Sequence, residues 1–504
     1  MRRALVPATF VVLAACSSSE SPTQPAPVEA DAGPAPQAST FEVTDAAIFQ
    51  SVRVGLLQDG VPLAAKSRNA AVVAGRAGLI RVYYKQALPR GTKPPAVKAQ
   101  LHLLQGTQEI AVKADTKYAV SSREGQLETT LNFDLTAEEV QIGRSFYVTV
   151  DAAAGATRFP ADEGSIALSA EKGPKVTVRF VPVHYLEGGK DLLPEVSQAD
   201  VDEYRRTLLD MYPVATVDVG IRASVLEWRQ KVVANGQGWD ELLNAIGETR
   251  DADGVGTDVF YMGLFRSANS LNEYCRGGCV LGLAPLVPSA GSSDMQFALS
   301  AGWGGETTAF TVAHELGHNL GRNHSPCGGA AGADKKYPYE DASIGSWGYE
   351  TSTKSLLDPT IYTDVMGYCQ PQWISDWTYT AMQKRLTQIN SMARPGTGPS
   401  PSPSPVAPRI LRVAQDGTLS WGWKSTLTVA DGSESAEVRY HDASGRVLKT
   451  TTAQFVPYDH VPGGYIVGAD APTAAASLSI ASLTHNSPHA LPITVSPARI
   501  AIKR

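Results

Sequence analysis

Three histidines and a glutamate crowd into one short stretch, TVAHELGHNLGRNHSPCGG, residues 311 to 329. His314, His318 and His324 are three of only nine histidines in 504 residues, and Glu315 follows the first of them directly. On a helix, a spacing of four sets His314 and His318 on one face, about 6 Å apart along the axis. Both imidazoles can then reach one metal ion. Gly321 can leave the helix with positive φ, so that the chain turns back and His324 arrives as a third ligand. Three neutral nitrogens suit Zn2+, and three protein ligands leave a fourth position for water, which separates catalytic zinc from structural zinc. Glu315, one residue round the helix, can face that water, take its proton and pass it to a leaving amine. The bland reading of the same residues is a helix with hydrogen-bonded core histidines. Two functional readings compete with peptide hydrolysis: a zinc-stabilised binding or adhesion protein without turnover, and a zinc hydrolase of a non-peptide amide. A pure binding protein has no need of an acid–base residue beside an open metal site, so Glu315 argues for an enzyme.

Such ligands need a rigid frame. GGETTAFTVAHELGHNLG lacks proline and is bounded by glycine, which predicts a helix over about 306 to 320. Upstream, KVTVRFVPV (175–183) reads as a strand, and Ser197 with Asp200 has the spacing of a capping box. Val201, Tyr204, Leu208 and Met211 then keep helical period. VATVDVGIR (214–222), WDELLNAIGETR (239–250) and TDVFYMGLF (257–265) continue as strand, helix and strand, the alternation of an α/β sheet. A last helix opens near Ser375 and ends before RPGTGPSPSPSPVAP (394–408), a low-complexity linker.

With these elements the sequence resembles the metzincin clan of zinc endopeptidases: HELGHNLGRNH (314–324) matches its long zinc motif at every fixed position. The resemblance implies a Met-turn packed beneath the zinc histidines, for which YTDVMGYCQ (362–370) supplies Met366. It implies an antiparallel edge strand before the active-site helix, where QFALSAGWGG (296–305) stands, and a substrate peptide paired to that edge. In some metzincins a tyrosine two residues after the Met approaches the metal as ligand or oxyanion donor, a role that falls here on Tyr368. Asp364 stands where those relatives usually have Ser. Surface tethering and flanking β regions resemble the secreted mucin-cleaving metzincins of enteric bacteria, whose substrate is not carried over. Four cysteines remain after Cys16, and three pairings are open to them. Cys327 and Cys369 flank pieces that the metzincin fold brings together around zinc, which favours that bridge and leaves Cys275 and Cys279 to close a small loop.

The rest of the chain reads as β structure. In residues 41 to 174, Val97, Ala99, Leu101 and Leu103 alternate with polar residues, as do Thr129, Leu131, Phe133 and Leu135, which argues for a sandwich. His102 falls on the polar side of its strand and reads as a surface residue. Residues 409 to 504 carry Leu419, Trp421 and Trp423 in alternation and a hairpin at 440–448. The tryptophans suit either carbohydrate contact or a sandwich core, and His441, His460, His485 and His489 show no ligand spacing. The expected architecture is therefore multidomain: an α/β metzincin-like catalytic domain (175–394) flanked by N- and C-terminal all-β sandwich-like domains (41–174 and 409–504), with a linker at 395–408.

Net charge of −6, with no long like-charge block, argues against a nucleic-acid partner; protein or peptide substrates are what the metzincin resemblance implies. At the N-terminus, Arg2 and Arg3 precede an apolar run over 4 to 15, too short to span a bilayer and suited to export. Leu13-Ala14-Ala15-Cys16 resembles the bacterial lipobox, which implies a signal peptide over 1–16, lipidation of Cys16 and a tether over 17–40. The chain is expected at the cell envelope, exported and tied to the membrane only through that lipid. Cys16→Ser is expected to move the protein from the membrane fraction to the soluble exported fraction; membrane retention of the variant would show another anchor.

Overall fold

The strand Lys175–Tyr185 (β1) is buried along nearly its whole length, as a strand covered on both faces must be. In the computed structural model, residues 39–194, 196–287, 295–393, 395–396, 409–424, 435–468, 471–484 and 499–502 are described. The export segment with Cys16, residues 17–38 of the tether, residues 397–408 of the linker, His485 and His489 lie outside them. β1 pairs in parallel with Thr216–Ile221 (β2), with Leu226–Trp228 (β3) at its far end, and with Val259–Phe265 (β4). Gly282–Leu283 (β5) pairs antiparallel with Phe297–Ala301 (β6), which lies parallel to β4, so the order is β2-β1-β4-β6-β5.

The antiparallel edge expected at 296–305 is thus corrected. Residues 297–301 form an interior parallel strand, and the antiparallel edge is the two-residue β5. All five residues of β6 are buried, so the sequence lacks the alternation that marks a half-exposed edge.

Helices Gln198–Met211 (α1), Trp239–Asp253 (α2), Gly305–Asn319 (α3) and Asp376–Ser391 (α4) surround this sheet. α1 opens on the expected capping box of Ser197 and Asp200 and buries Val201, Tyr204, Leu208 and Met211. Beyond its end, the Tyr212 hydroxyl donates to the Ala313 carbonyl of α3 at 2.5 Å. Among the described residues strands predominate and helices are few, and the molecule is multidomain and mostly β.

The N-terminal region forms two five-stranded β-sheets beside a short parallel pair of Val73–Ala74 with Glu171–Lys172. One holds Thr40–Phe49, Arg53–Gln58, Val61–Pro62, Gly78–Ala87 and Leu131–Leu135; the other holds Val97–Gln105, Gln108–Lys117, Arg144–Ala152, Gly155–Phe159 and Ile166–Ala167. Val97, Ala99, Leu101, Leu103, Leu131, Phe133 and Leu135 point into one core that continues into β1 and α1. His102 binds Glu109 at 2.7 Å and stacks on Tyr147, far from any metal-binding cluster.

The C-terminal region, expected to be sandwich-like, is among the described residues one sheet with a core of its own. Its seven strands hydrogen-bond in one sheet, in the order Leu419–Lys424, Arg409–Val413, Gly464–Val467, Val447–Pro457, Ser435–His441, Ser477–Thr484, Ile500–Ala501. One face encloses Leu411, Val438, Phe455 and Ile466. The alternate residues Ile410, Val456 and Tyr465 join Trp239 and Phe297 of the central region in another core. The partner of the second face is therefore the central region rather than a second sheet. Trp423 is buried in that junction, where a Cβ on Gly247 of α2 would stand 2.8 Å from its ring. Trp421 donates its indole N–H to the Ala501 carbonyl at 2.7 Å.

A buried arginine locks the N-terminal region to the central one. The Arg76 guanidinium donates to the carbonyls of Gln50, Asp210, Tyr212 and Val214 and to the Ser51 hydroxyl, all within 3.2 Å. Removing it strands several buried acceptors at once, so Arg76→Ala should cost about 3 kcal/mol. A lowered midpoint of thermal unfolding, at unchanged metal content, is the expected measurement.

Candidate metal centre

α3 starts after Gly304 and ends at Asn319, one residue from the expected bounds at either end. It carries His314 and His318 on one face, with their Nε2 atoms 3.0 Å apart. Gly321 has φ +80° and turns the chain back, as its position in the motif requires. The return brings the His324 ring within 4.7 Å of the His318 ring and 5.3 Å of the His314 ring, centroid to centroid. All three imidazoles are buried.

The outer nitrogen of each ring fixes its tautomer. His314 Nδ1 lies 2.8 Å from the Val365 carbonyl, His318 Nδ1 2.7 Å from that of Arg322, and His324 Nδ1 2.7 Å from that of Ala331. A carbonyl only accepts, so each Nδ1 carries the proton and each Nε2 presents a bare lone pair. Burial comes first among the causes that hold His314 and His324 well below the usual imidazole range, and it lowers His318 to about 4. Neutral rings with inward lone pairs are the form that binds a metal and cannot bond one another. The donor set fits a zinc ion.

The turn over 362–370, where the resemblance placed a Met-turn, packs beneath these histidines. Met366 is fully buried, and a Cβ on Gly317, between the two helical histidines, would stand 2.4 Å from its sulfur. Asp364 holds the turn: its carboxylate accepts from the N–H of Met366 and from that of Ser375, each at 2.9 Å. The Ser325 N–H donates to the Met366 carbonyl at 3.0 Å, and the Cys327–Cys369 disulfide closes the same seam. The second bridge joins Cys275 and Cys279, so both pairings favoured from the sequence are present. Tyr368 places its hydroxyl 3.1 Å from His324 Nε2; as that nitrogen is bare, the phenol is the donor.

Glu315 is 1 % exposed, and its Oε2 has no hydrogen-bond partner. A Cβ on Gly282 would fall 2.0 Å from its Oε1, so only glycine leaves room for this carboxylate beside β5. Burial first, and then the Asp459 carboxylate, push the Glu315 carboxyl well above its ordinary range; a cation held beside it would act the other way and favour the ionised form that a general base needs. Burial alone would raise Asp459 too, but His460, His318 and the hydrogen bond with Glu315 outweigh it and hold that carboxyl low.

A cleft of about 570 Å³ opens onto these groups, lined by Val280, Leu281, Gly282, Phe310, His314, Glu315 and Tyr368 among others. Among the described residues, none of its lining comes from 39–174.

One expectation is overturned here. His460, without ligand spacing in the sequence, lies in the site: its ring is 5.7, 6.0 and 5.1 Å from those of His314, His318 and His324, and it stacks on Tyr368. Its neighbour Asp459, which sequence reasoning passed over, sets Oδ2 3.3 Å from His318 Nε2. Both sit in the loop after strand Val447–Pro457. The only trace in the sequence is an adjacent Asp-His pair between Pro457 and the Gly463-Gly464 turn.

Among known proteins, residues 291–396 match the family model Peptidase M66, and residues 240–325 match Metallo-peptidase family M12B Reprolysin-like. No curated protein matches the chain. One solved structure with similarity is a cycloisomaltooligosaccharide glucanotransferase from Paenibacillus sp. complexed with cycloisomaltoheptaose, at 14% identity. The match covers 48% of this chain and 30% of that one, and its TM-score of 0.15 carries no argument about fold. The two family matches overlap on the segment that holds the three converging histidines, and together they support a metzincin-type zinc metallopeptidase over residues 240–396.

Proposed function

We propose that residues 175–394 are a zinc endopeptidase domain of metzincin architecture that cleaves extracellular proteins, held at the cell envelope through Cys16. The division into flanking domains over 41–174 and 409–504 belongs to the same proposal. The observation that carries it is the meeting of three inward-turned, unprotonated imidazole nitrogens with the buried Glu315 carboxyl, whose Oε2 has no hydrogen-bond partner, beside a cleft of about 570 Å³.

Zinc held by His314, His318 and His324 would supply Lewis acidity, lowering the pKa of a water towards neutrality and polarising the scissile carbonyl. Glu315 takes the proton of the attacking water on a carboxylate oxygen and delivers it to the leaving amine. Tyr368 donates its hydroxyl to the oxygen on which charge develops. The free edge of β5 offers backbone groups to an extended substrate, and Gly282 keeps that edge close to Glu315.

Glu315→Gln leaves the three histidines untouched and removes the proton carrier. Its zinc content should equal that of the parent, while hydrolysis of mixed denatured proteins falls by about 10²-fold or more. Comparable hydrolysis at equal zinc would refute the general-base role. Tyr368→Phe should lower kcat by about 10² to 10³ with KM and melting temperature unchanged; a near-normal kcat would leave the phenol as a structural part of the Met-turn.

A further inference from the structure

Residues 457–460 of the C-terminal region reach into the cleft as an extended segment. The Leu286 N–H donates to the Pro457 carbonyl at 2.9 Å and the Asp459 N–H to the Ala284 carbonyl at 3.2 Å, with Pro285 and Tyr458 forming an antiparallel bridge. The segment thus adds to the chain that continues from β5, as a bound peptide strand would. The Ala284 N–H fixes the other end of the carboxylate, donating to Asp459 Oδ1 at 2.9 Å. Tyr458 and Val461, on either side, are buried in the core shared with the central region.

This leaves Asp459 Oδ2 aimed at the three histidines. Donors around a tetrahedral zinc stand about 3.3 Å from one another, given metal–nitrogen bonds of about 2.0–2.1 Å. The observed separations are 3.0 Å from His314 Nε2 to His318 Nε2 and 3.3 Å from His318 Nε2 to Asp459 Oδ2. His460 Nδ1 bonds the same Oδ2, and His318, His324, Asp459 and His460 all hold ligand atoms within 4.8 Å of one another. We infer that Asp459 is a fourth protein ligand of the metal and that His460 positions it, so that the C-terminal region closes the catalytic site in a latent state. A site with four protein ligands has no open position for water. Catalysis then requires the 457–460 segment to withdraw. The inference rests on the zinc-peptidase reading of the three histidines.

The test uses the full chain loaded with cobalt(II) in place of zinc, with acetohydroxamate as a metal-seeking probe and visible absorption as the readout. The parent protein should bind the probe weakly, since its apparent affinity is reduced by the small fraction of open sites. Asp459→Ala should bind it about tenfold tighter or more, with a changed cobalt spectrum before the probe is added. Asp459→Asn keeps the acceptor for the Ala284 N–H and loses the charge, so it should behave like Asp459→Ala with the loop still anchored. Equal probe affinity in parent and both variants, at one cobalt per chain, overturns the inference. The zinc forms separate it from the function it rests on: both variants should cleave protein substrates faster than the parent. A cobalt site that opens as expected without any cleavage would sustain the fourth ligand and overturn the peptidase assignment.

Discussion

Three imidazole lone pairs aimed at one point are the constraint on which the rest of this structure depends. Unprotonated nitrogens 3.0 Å apart in a buried pocket repel one another. A cation at their centre turns that repulsion into binding. Holding them there requires an acceptor behind every ring, and the three carbonyls come from three places: the Met-turn, the turn after α3 and the loop beyond His324. Each is a backbone group, so the geometry depends on chain path more than on side-chain identity.

Chain path is in turn fixed by packing. Gly317 lets Met366 lie directly against α3, and the Met382 methyl of α4 closes on the same spot. Tyr212 ties α1 to the middle of α3. The Cys327–Cys369 bridge and the Asp364 carboxylate stitch the third-ligand loop to the Met-turn. Loss of any of these lets the carbonyls drift, and ligand orientation is lost before any ligand is changed.

The flanking β regions play unequal parts. The N-terminal sheets share a core with α1 and β1, yet contribute no described residue to the cleft lining. The C-terminal sheet spends one face on its own core and the other on α2 and β6, which brings its 457–460 loop to the metal centre. A lining residue of the cleft, His460, thus belongs to a region that reads as an accessory from sequence alone.

What the sequence determined by itself is local. The Asp-Val-Met-Gly-Tyr run far downstream is placed under the site only through the metzincin resemblance, whereas helical period places His314, His318 and Glu315, and a glycine after the helix returns His324. These relations span a few turns of chain, and backbone geometry alone converts spacing into distance. Strand type escaped because β6 is buried on both faces and has no alternation to read, and the C-terminal alternation reveals two buried faces without revealing that the central region covers one of them. Asp459 and His460 lay beyond reach for a stronger reason. Their approach to the zinc motif depends on how one sheet docks on another region of the molecule, through Trp423, Tyr458 and Tyr465 against Trp239 and Phe297, and no spacing in the chain encodes a docking angle. Only tertiary packing could bring that carboxylate to the fourth side of the site.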